Sequence, residues 1–486
     1  MYQMAFEQLL QSGQLDLVSE DDMAIERDID SDNDSNSNSA SAFAPWSYEP
    51  ACTARLDAIG SELCVYTNRT FSGGRGISLF TTPQMAERIA GLIARVGEQE
   101  RERERERHQH QHQHQHQHQD TDVWYTRPVS GKGMGMFAKK ELRRGDLITA
   151  YTPVLLAYAE TLLSRLEREK FLQLALDQLP GPTRDAYLSL ATLVGDPSIV
   201  AQDIAAANTF GWSFGSAGSG SGSGSGTGSG DDDGDGDGSI SRPEAGAEAE
   251  EDSNVKITHL AVIPEPSRIN HACTPNAQFI TDPNQLMHRV YAVRSIPRDH
   301  EISIAYTSPL DRYARRRQYL RDSFGFSCTC SRCRRGEFDD AGLDEIYALQ
   351  ARLADWTTTT STAALTETAN SALTPTSTET ETATETTNSA LTPNSALTAP
   401  DAIKLAERLL KLYTDQGLHA FLDQPYCHAA LAYSAAGSVR GARKYLDLAV
   451  EAITLRLGPR APHLAAWMEM RKDPTSHWSW GRRKRT

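Results

Sequence analysis

Three cysteines lie within six residues of this sequence, Cys328, Cys330 and Cys333. Thiolates spaced C-x-C-x2-C can occupy three vertices of a zinc tetrahedron, and the site then needs one more ligand. Cys273 is the best candidate because it is the only other cysteine inside a polar motif loop. Seven cysteines are an odd number, and no secretory signal is recognisable, which favours metal binding over disulfides. Buried free thiols are expected for the remaining three, Cys52, Cys64 and Cys427.

A polar loop, residues 268–276, has the sequence RINHACTPN and lies between apolar, strand-like segments. It holds the amide of Asn270, the imidazole of His271 and the thiol of Cys273 within four residues. Each residue alone is typical of turn chemistry or of an ordinary buried histidine. Their occurrence in one short run predicts a functional site.

A glycine-rich segment, residues 127–138, has the sequence RPVSGKGMGMFA. Glycines let backbone N–H and C=O groups approach a ligand closely, because no Cβ atom intervenes. The pattern alone is better explained by a tight turn, and no helix follows it, which argues against a Rossmann or phosphate-binding loop. A competing glycine-rich turn at 73–76 has even less chemistry around it.

The elements that must position these groups are predicted to be short strands around one helical stretch. Strands are predicted at 123–125, 135–138, 146–151, 256–263, 277–280, 288–293 and 301–306. The helical stretch, 160–194, is interrupted at Pro180 and Pro182. Its apolar face is expected to hold Leu162, Leu166 and Leu174. Two further strands (CVYT, ISLFT) and an amphipathic segment are predicted within 51–98, and a helix at 341–355.

Composition divides the chain into ordered and low-complexity parts. The low-complexity parts are a disordered acidic tail (1–50), an Arg-Glu/His-Gln linker (101–120), an insertion at about 215–255, and a Thr/Ser-rich linker (356–400). The Arg-Glu repeat can extend the preceding helix through charge pairs. The ordered parts are an N-terminal segment (51–100), a main domain (121–335) and a C-terminal helical region with a basic tail (401–486). That last region suggests tetratricopeptide-like helix pairs or, equally, a helical cap on the main domain.

The net charge of −15 limits the class of partner. An acidic chain gains nothing from general attraction to DNA phosphates, so no direct nucleic-acid contact is expected, and a basic protein surface or tail is the easier partner. No apolar run is long enough to span a bilayer, so no membrane partner is expected. We expect an intracellular protein, in the nucleus and/or the cytoplasm.

Together and in this order, the three clusters resemble a SET domain followed by a post-SET segment, as in the SET/MYND-like and fungal-type SET proteins. The diagnostic patterns R-x-x-N-H-x-C-x-P-N, E-x-x-x-x-Y and C-x-C-x2-C appear here as RINHACTPN, EISIAY (301–306) and CTCSRC. The resemblance covers roughly 121–335, and no MYND finger is present. It implies a mixed, mainly β fold of small sheets with a helical insertion, a zinc-binding post-SET segment and a C-terminal α-helical region.

The resemblance implies an S-adenosylmethionine-dependent protein-lysine N-methyltransferase that acts on a histone or another protein. It implies these cofactor-binding residues: Lys132, Gly133, Met134, Asn208, Asn270, His271 and Phe326. The first three would contact the cofactor through their backbone, and Phe326 would cover its adenine. Tyr306 would be catalytic and would orient the lysine nitrogen. Structural zinc on Cys273, Cys328, Cys330 and Cys333 would fold the post-SET segment over the pocket.

Two alternatives to an active enzyme remain open. A SET-fold scaffold would use the zinc-stapled domain and the C-terminal helices to recruit protein partners without turnover. Retention of Asn270, His271 and Tyr306 favours the enzyme over this scaffold. A zinc module that contacts nucleic acid is disfavoured, because the chain is acidic and lacks a recognition-helix pattern.

Overall fold

The computed structural model describes residues 43–110, 123–214, 259–370, 397–461 and 463–481. Several predicted low-complexity parts lie outside the described residues: the acidic tail before residue 43, the end of the His-Gln repeat, the insertion at 215–255, the Thr/Ser-rich linker between 371 and 396, and the basic end after 481. None of the helices that the structure describes is both long enough and apolar enough to cross a bilayer.

Short strands form four small sheets. The strands are β1 (Ala51–Cys52), β2 (Cys64–Asn68), β3 (Ile77–Thr81), β4 (Trp124–Val129), β5 (Gly133–Ala138), β6 (Leu147–Tyr151), β7 (Leu155–Tyr158), β8 (Thr209–Trp212), β9 (His259–Val262), β10 (Asn270–His271), β11 (Ala277–Asp282), β12 (Met287–Ala292) and β13 (Ser303–Ile304). A six-stranded sheet has the order β1-β2-β3-β7-β9-β8, and a three-stranded sheet has the order β11-β12-β6. The other two sheets are the pairs β4-β5 and β10-β13. The pairs β3-β7 and β10-β13 are parallel, and the others are antiparallel.

Helices occur before, within and after the strands. They are α1 (Pro83–His110), α2 (Arg165–Asp177), α3 (Gly181–Leu188), α4 (Val200–Asn208), α5 (Tyr313–Phe324), α6 (Ser331–Arg335), α7 (Asp340–Asn370), α8 (Ala399–Asp415), α9 (Asp423–Ala435), α10 (Val439–Leu457) and α11 (Leu464–Lys472). A single helical turn lies at Phe71–Gly74, and short 3-10 turns lie at 197–199, 266–268, 336–339 and 419–421. The expectation of a mainly β fold is wrong, because the structure is 48% helical.

The six-stranded sheet is buried on both faces, which explains why its strands are almost continuously apolar. Successive side chains alternate between two cores: Leu79 and Leu156 enter one, while Phe80 and Leu155 enter the other. Helix α1 covers the first face, and α2 and α4 cover the second. The segment predicted as an ordered N-terminal part, 51–100, therefore shares this sheet with the main domain.

Helix α2 begins at a capping box and presents a different face from the predicted one. The Ser164 hydroxyl accepts a hydrogen bond from the Glu167 N–H at 3.2 Å, and the Glu167 carboxylate accepts one from the Ser164 N–H at 3.1 Å. The buried face holds Leu172, Ala175 and Leu176. The predicted face is wrong, because Leu162 precedes the helix and Leu166 is 68% exposed.

Two helices run further than predicted. Helix α1 continues to His110, so the first residues of the predicted 101–120 linker are helical, as the Arg-Glu charge pairs allow. Helix α7 continues to Asn370, so residues 356–370 of the predicted Thr/Ser-rich linker are helical.

The C-terminal helices α7 to α11 enclose a core of their own. On α8 the buried residues Ala402, Ala406 and Leu409 recur at helical spacing, and small alanines let α9 and α10 pack closely. Polar contacts tie this bundle to the sheets: Arg144 Nε lies 2.8 Å from a Glu451 carboxylate oxygen. The likeness to tetratricopeptide helix pairs stays a prediction.

The prediction of free thiols at Cys52 and Cys64 is wrong. The two residues face each other across the β1-β2 pair with Cα atoms 4.0 Å apart, and they form a disulfide. Strand register, which brings positions twelve residues apart together, decided this pairing. Cys427 remains a free thiol, as expected.

Candidate functional site

The predicted site residues converge on one cavity of about 770 Å³. Its walls come from the β4-β5 turn, residues 190–193 after α3, the end of α4, the loop after residue 266, Tyr306, and the end of α5 with the segment that follows it. Every residue predicted to bind the cofactor lines it, together with the predicted catalytic tyrosine: Lys132, Gly133, Met134, Asn208, Asn270, His271, Tyr306 and Phe326. Their chain separation shows that the fold, and not the local sequence, gathers them.

The β4-β5 hairpin brings its glycines to the edge of the cavity. Gly131 and Gly133 have φ angles of +72° and +73°, which L side chains rarely adopt, so the turn requires glycine there. Gly135 is needed for space: a Cβ atom would lie 2.6 Å from Val129 Cγ2 and 3.0 Å from Asn270 Nδ2. The third glycine thus lets the hairpin pack directly against the polar loop 268–276.

A shared carboxylate connects the hairpin to this loop. Glu301 accepts a hydrogen bond from Asn270 Nδ2 at 2.9 Å on one oxygen, and its other oxygen lies 2.8 Å from Lys132 Nζ. The Lys132 and Glu301 side chains are 39% and 23% exposed, so solvent weakens their attraction. The main role of the Glu301 carboxylate is to position a neighbour: its hydrogen bond fixes the amide of Asn270 at the cavity wall.

Asn208 lies at the end of α4 with its amide already engaged. Its Nδ2 donates to the carbonyl oxygens of Ala191 and Ile204, at 2.8 and 2.7 Å. These bonds attach the loop after α3 to α4. The side chain therefore shapes the wall of the cavity, whatever else it contacts.

The imidazole of His271 is buried and has a partner at each nitrogen. Nδ1 accepts a hydrogen bond from the Tyr306 N–H at 2.9 Å. An N–H can only donate, so the ring proton of the neutral imidazole lies on Nε2, which is 3.3 Å from Cys273 Sγ. Both ring nitrogens therefore have partners within the protein, and the cofactor contact of His271 stays a prediction.

The four predicted ligand cysteines come together beside the cavity. Their Sγ atoms all lie within 4.8 Å of one another, and those of Cys273 and Cys333 are 3.4 Å apart. The hydrogen bond with Cys273 is the main cause that lowers the pKa of Cys330 to about 5. Sulfurs in this arrangement can hold a metal ion.

Arg332, inside the CTCSRC motif, is buried behind this cluster. Its Nη1 donates to the carbonyl oxygens of Cys273 and Pro309, at 3.4 and 2.5 Å. The guanidinium thus places a positive charge next to thiol groups that become anionic when they bind metal.

An aromatic cluster closes the other end of the cavity. The Tyr306 ring lies 4.8 Å from Phe324 and 5.4 Å from the His271 ring, measured between centroids, and its hydroxyl donates to the Ile269 carbonyl at 2.7 Å. Burial, followed by the negative charge of Glu301, raises the pKa of Tyr306 above its usual value. The phenol is therefore neutral at physiological pH.

A second cavity of about 80 Å³ also borders Tyr306. Its walls are largely apolar and aromatic, and they include Phe210, Phe279 and Tyr319. Tyr306 and Phe324 line both cavities. The site therefore consists of a large chamber and a narrow one that share a tyrosine.

Sequence reasoning missed several residues of this site. Glu301 and Arg268 each begin a quoted motif, so their positions carried a signal that was not used. Phe324 lies two residues before the predicted Phe326, and its helix gave no motif. Residues 190–193, which follow α3, line the large cavity without any recognisable pattern.

Residues 133–307 match the SET domain family. The predicted resemblance is confirmed: the chain contains a SET domain, and its homologues are SET- and SMYD-type histone-lysine methyltransferases.

Among the relatives, the histone-lysine N-methyltransferase SET5 of Eremothecium gossypii is 38% identical over 79 residues, which are 16% of this chain and 16% of that protein. The histone-lysine N-methyltransferase SMYD3 of Mus musculus is 35% identical over 80 residues, 16% of this chain and 18% of that protein. The potential protein lysine methyltransferase SET6 of Saccharomyces cerevisiae is 38% identical over 74 residues, 15% of this chain and 19% of that protein. The matched segments thus span less than a fifth of each relative.

Proposed function

We propose that this protein is an S-adenosylmethionine-dependent protein-lysine N-methyltransferase. The observation that carries the proposal is the position of Tyr306, which borders both the large cavity and the narrow one. A methyl donor in the large cavity and a lysine side chain in the narrow one would meet beside this ring. The names of the relatives support the same chemistry.

The large cavity suits the cofactor in size and in chemistry. About 770 Å³ falls within the range of small-molecule sites, and glycines at the hairpin expose backbone groups to it. Lys132 to Met134 would contact the cofactor through their backbone, Asn208 and Asn270 would hold its polar ends, and Phe326 would cover the adenine. When bound, S-adenosylmethionine supplies a methyl group carried on a sulfonium sulfur.

The narrow cavity suits the uncharged form of a lysine side chain. Walls that include Phe210 and Phe279 remove water from an entering ammonium, which disfavours the charged form and makes the nitrogen lone pair available. Because the Tyr306 hydroxyl donates its proton to Ile269, its oxygen lone pairs remain as acceptors for the amine. Tyr306 would thus orient the nucleophile as a neutral hydrogen-bonding group, and such positioning lowers barriers by several kcal/mol.

The four cysteines suit a structural zinc ion. Zn–S bonds of about 2.3 Å place tetrahedral sulfurs roughly 3.8 Å apart, close to the spacing seen in the cluster. Four thiolates fill the coordination sphere, so zinc would serve folding rather than catalysis. It would hold Phe326 and its neighbours against the loop 268–276.

The proposed substrate is a protein that presents a lysine, histone or otherwise, and the proposed compartment is the nucleus and/or the cytoplasm. We also propose that partner proteins bind the C-terminal helices. The relatives named for histone methylation support this substrate class.

The proposal is tested by calorimetric titration of the purified chain with S-adenosylmethionine, beside the Asn270→Ala variant. We expect binding by the wild type, severe weakening in the variant, and about one zinc per chain in both. A lysine-peptide library with labelled cofactor then tests transfer. Zinc without cofactor binding would favour the scaffold hypothesis. Folded protein that contains no zinc and binds no cofactor would contradict the assignment.

A further inference from the structure

We propose that His271 is a positioning residue that transmits metal occupancy of the cysteine cluster to Tyr306. The inference rests on the proposed function for the role of Tyr306, and it adds a regulation of that site. It is carried by one buried imidazole that contacts a ligand cysteine on one side and the tyrosine backbone on the other.

The tyrosine side of this link completes a very short ladder. Strands β10 and β13 pair in parallel over two residues only, Asn270 with Ser303 and His271 with Ile304. The Ala272 N–H continues the pairing by donating to the Ile304 carbonyl at 3.0 Å. Two residues further on, the Tyr306 N–H finds the His271 ring as its acceptor in place of a backbone carbonyl. The imidazole thus fixes the backbone at Tyr306 where regular pairing ends.

The cysteine side of the link depends on the charge of the sulfur. Since Nδ1 accepts from Tyr306, Nε2–H is the donor toward Cys273 Sγ, 3.3 Å away. A metal-bound cysteine is a thiolate, and hydrogen bonds to anionic acceptors are stronger than those to neutral ones. Metal binding would therefore tighten the hold on the imidazole, and with it the position of the Tyr306 backbone.

The aromatic surroundings make this link rigid. The His271 ring lies 5.4 Å from the Tyr306 ring and 6.1 Å from the Phe326 ring, measured between centroids, and only 5% of the residue is exposed. These aromatic contacts favour the observed orientation of the imidazole. A change at the sulfur is consequently passed to Tyr306 and not dissipated.

Three substitutions test the two hydrogen bonds of the His271 ring separately, the one to Cys273 and the one from the Tyr306 N–H. His271→Asn keeps an acceptor near the Nδ1 position but does not reach the sulfur, His271→Gln keeps a donor near the Nε2 position, and His271→Phe fills the space with neither. The exposed residue His300 provides a matched control as His300→Phe. Hydrogen exchange of the Tyr306 amide is compared before and after addition of zinc alone, without cofactor or peptide.

Zinc should slow exchange at Tyr306 at least tenfold in the wild type and in His300→Phe, and much less in His271→Phe and His271→Asn. Cobalt(II) in place of zinc should show a sulfur-to-metal absorption band shifted in those two variants and retained in His271→Gln. Metal affinity should fall about 10- to 100-fold when the donor to the sulfur is lost.

Equal protection of Tyr306 by zinc in wild type and His271→Phe would overturn the inference, as would no effect of zinc in the wild type. If His271→Phe does not fold, equal protection of Tyr306 by zinc in wild type and His271→Asn overturns the inference in the same way. Neither measurement uses methyl transfer, so an inactive protein would contradict the proposed function and leave the test of the link intact.

Discussion

The SET region and the C-terminal helices are held together by different forces. Around the cavity, strands of two to six residues are fixed by individual polar contacts such as Glu301 with Asn270 and His271 with Tyr306. In the bundle, long helices are fixed by apolar packing of residues such as Ala406 and Leu409, both fully buried. In this protein, the irregular backbone around the cavity positions the chemical groups of the site, whereas the regular helices of the bundle supply stability.

If this contrast is correct, removing one metal ligand should have the largest effect of all. Cys333→Ser leaves three sulfurs and a hydroxyl that binds zinc poorly, and structural zinc sites contribute on the order of 10–16 kcal/mol to folding in small modules. We expect zinc content to fall from about one per chain to nearly none, and cofactor binding to disappear, as measured by metal analysis and calorimetry. Cys427→Ser, at a free thiol in α9, should keep both; loss of zinc there would contradict the ligand set.

In the C-terminal bundle, the largest loss of stability is expected when a buried side chain is truncated and leaves a cavity. Leu409→Ala should lower the free energy of unfolding of this region by about 2–5 kcal/mol, because the site cannot fully collapse. Urea unfolding followed by circular dichroism measures this, with the exposed Lys404→Ala as control. Cofactor affinity should be unchanged. A large loss of cofactor affinity would show that packing in the bundle also controls the geometry of the cavity.

At the shared tyrosine the effect should be on rate alone. Tyr306→Phe removes one hydroxyl, and loss of one such positioning group costs about 10²–10³ in kcat, by analogy with single donors at other active sites. Single-turnover methylation should show this, while the Kd of the cofactor stays close to wild type. Tyr433→Phe, which removes a hydroxyl bonded to Glu407 in the bundle, should leave the rate unchanged.

The smallest effect is expected at Lys132. Its ion pair with Glu301 is partly exposed, and such pairs contribute about 1 kcal/mol or less. Because the proposed cofactor contact comes from the backbone, Lys132→Met should weaken cofactor binding fivefold or less, and high salt should erase the difference. A hundredfold loss in calorimetry would mean that the side chain itself binds the cofactor.

Much of the site was predictable because its chemistry is concentrated in motifs. The loop 268–276 and the CTCSRC tail carry uncommon groups at fixed spacing, so their residues could be named without a structure. Strand positions such as β3 and β12 followed from apolar runs and alternation, since both patterns reflect burial.

What could not be predicted depends on contacts between distant segments. The disulfide of Cys52 and Cys64 follows from strand register, and the buried face of α2 follows from the sheet beneath it. The ring nitrogens of His271 contact Cys273 and the Tyr306 N–H, and Tyr306 is thirty-five positions away in the sequence. Such information is absent from any local window of sequence.

Strands β8 and β9 meet with Trp212 directly opposite His259. The two strands are therefore joined through neighbouring positions of the sheet. Loop-closure entropy grows only with the logarithm of length, and a tenfold shortening would change the free energy of closure by roughly 2 kcal/mol. At this position, therefore, residues can be added or removed during evolution with little change in the free energy of folding.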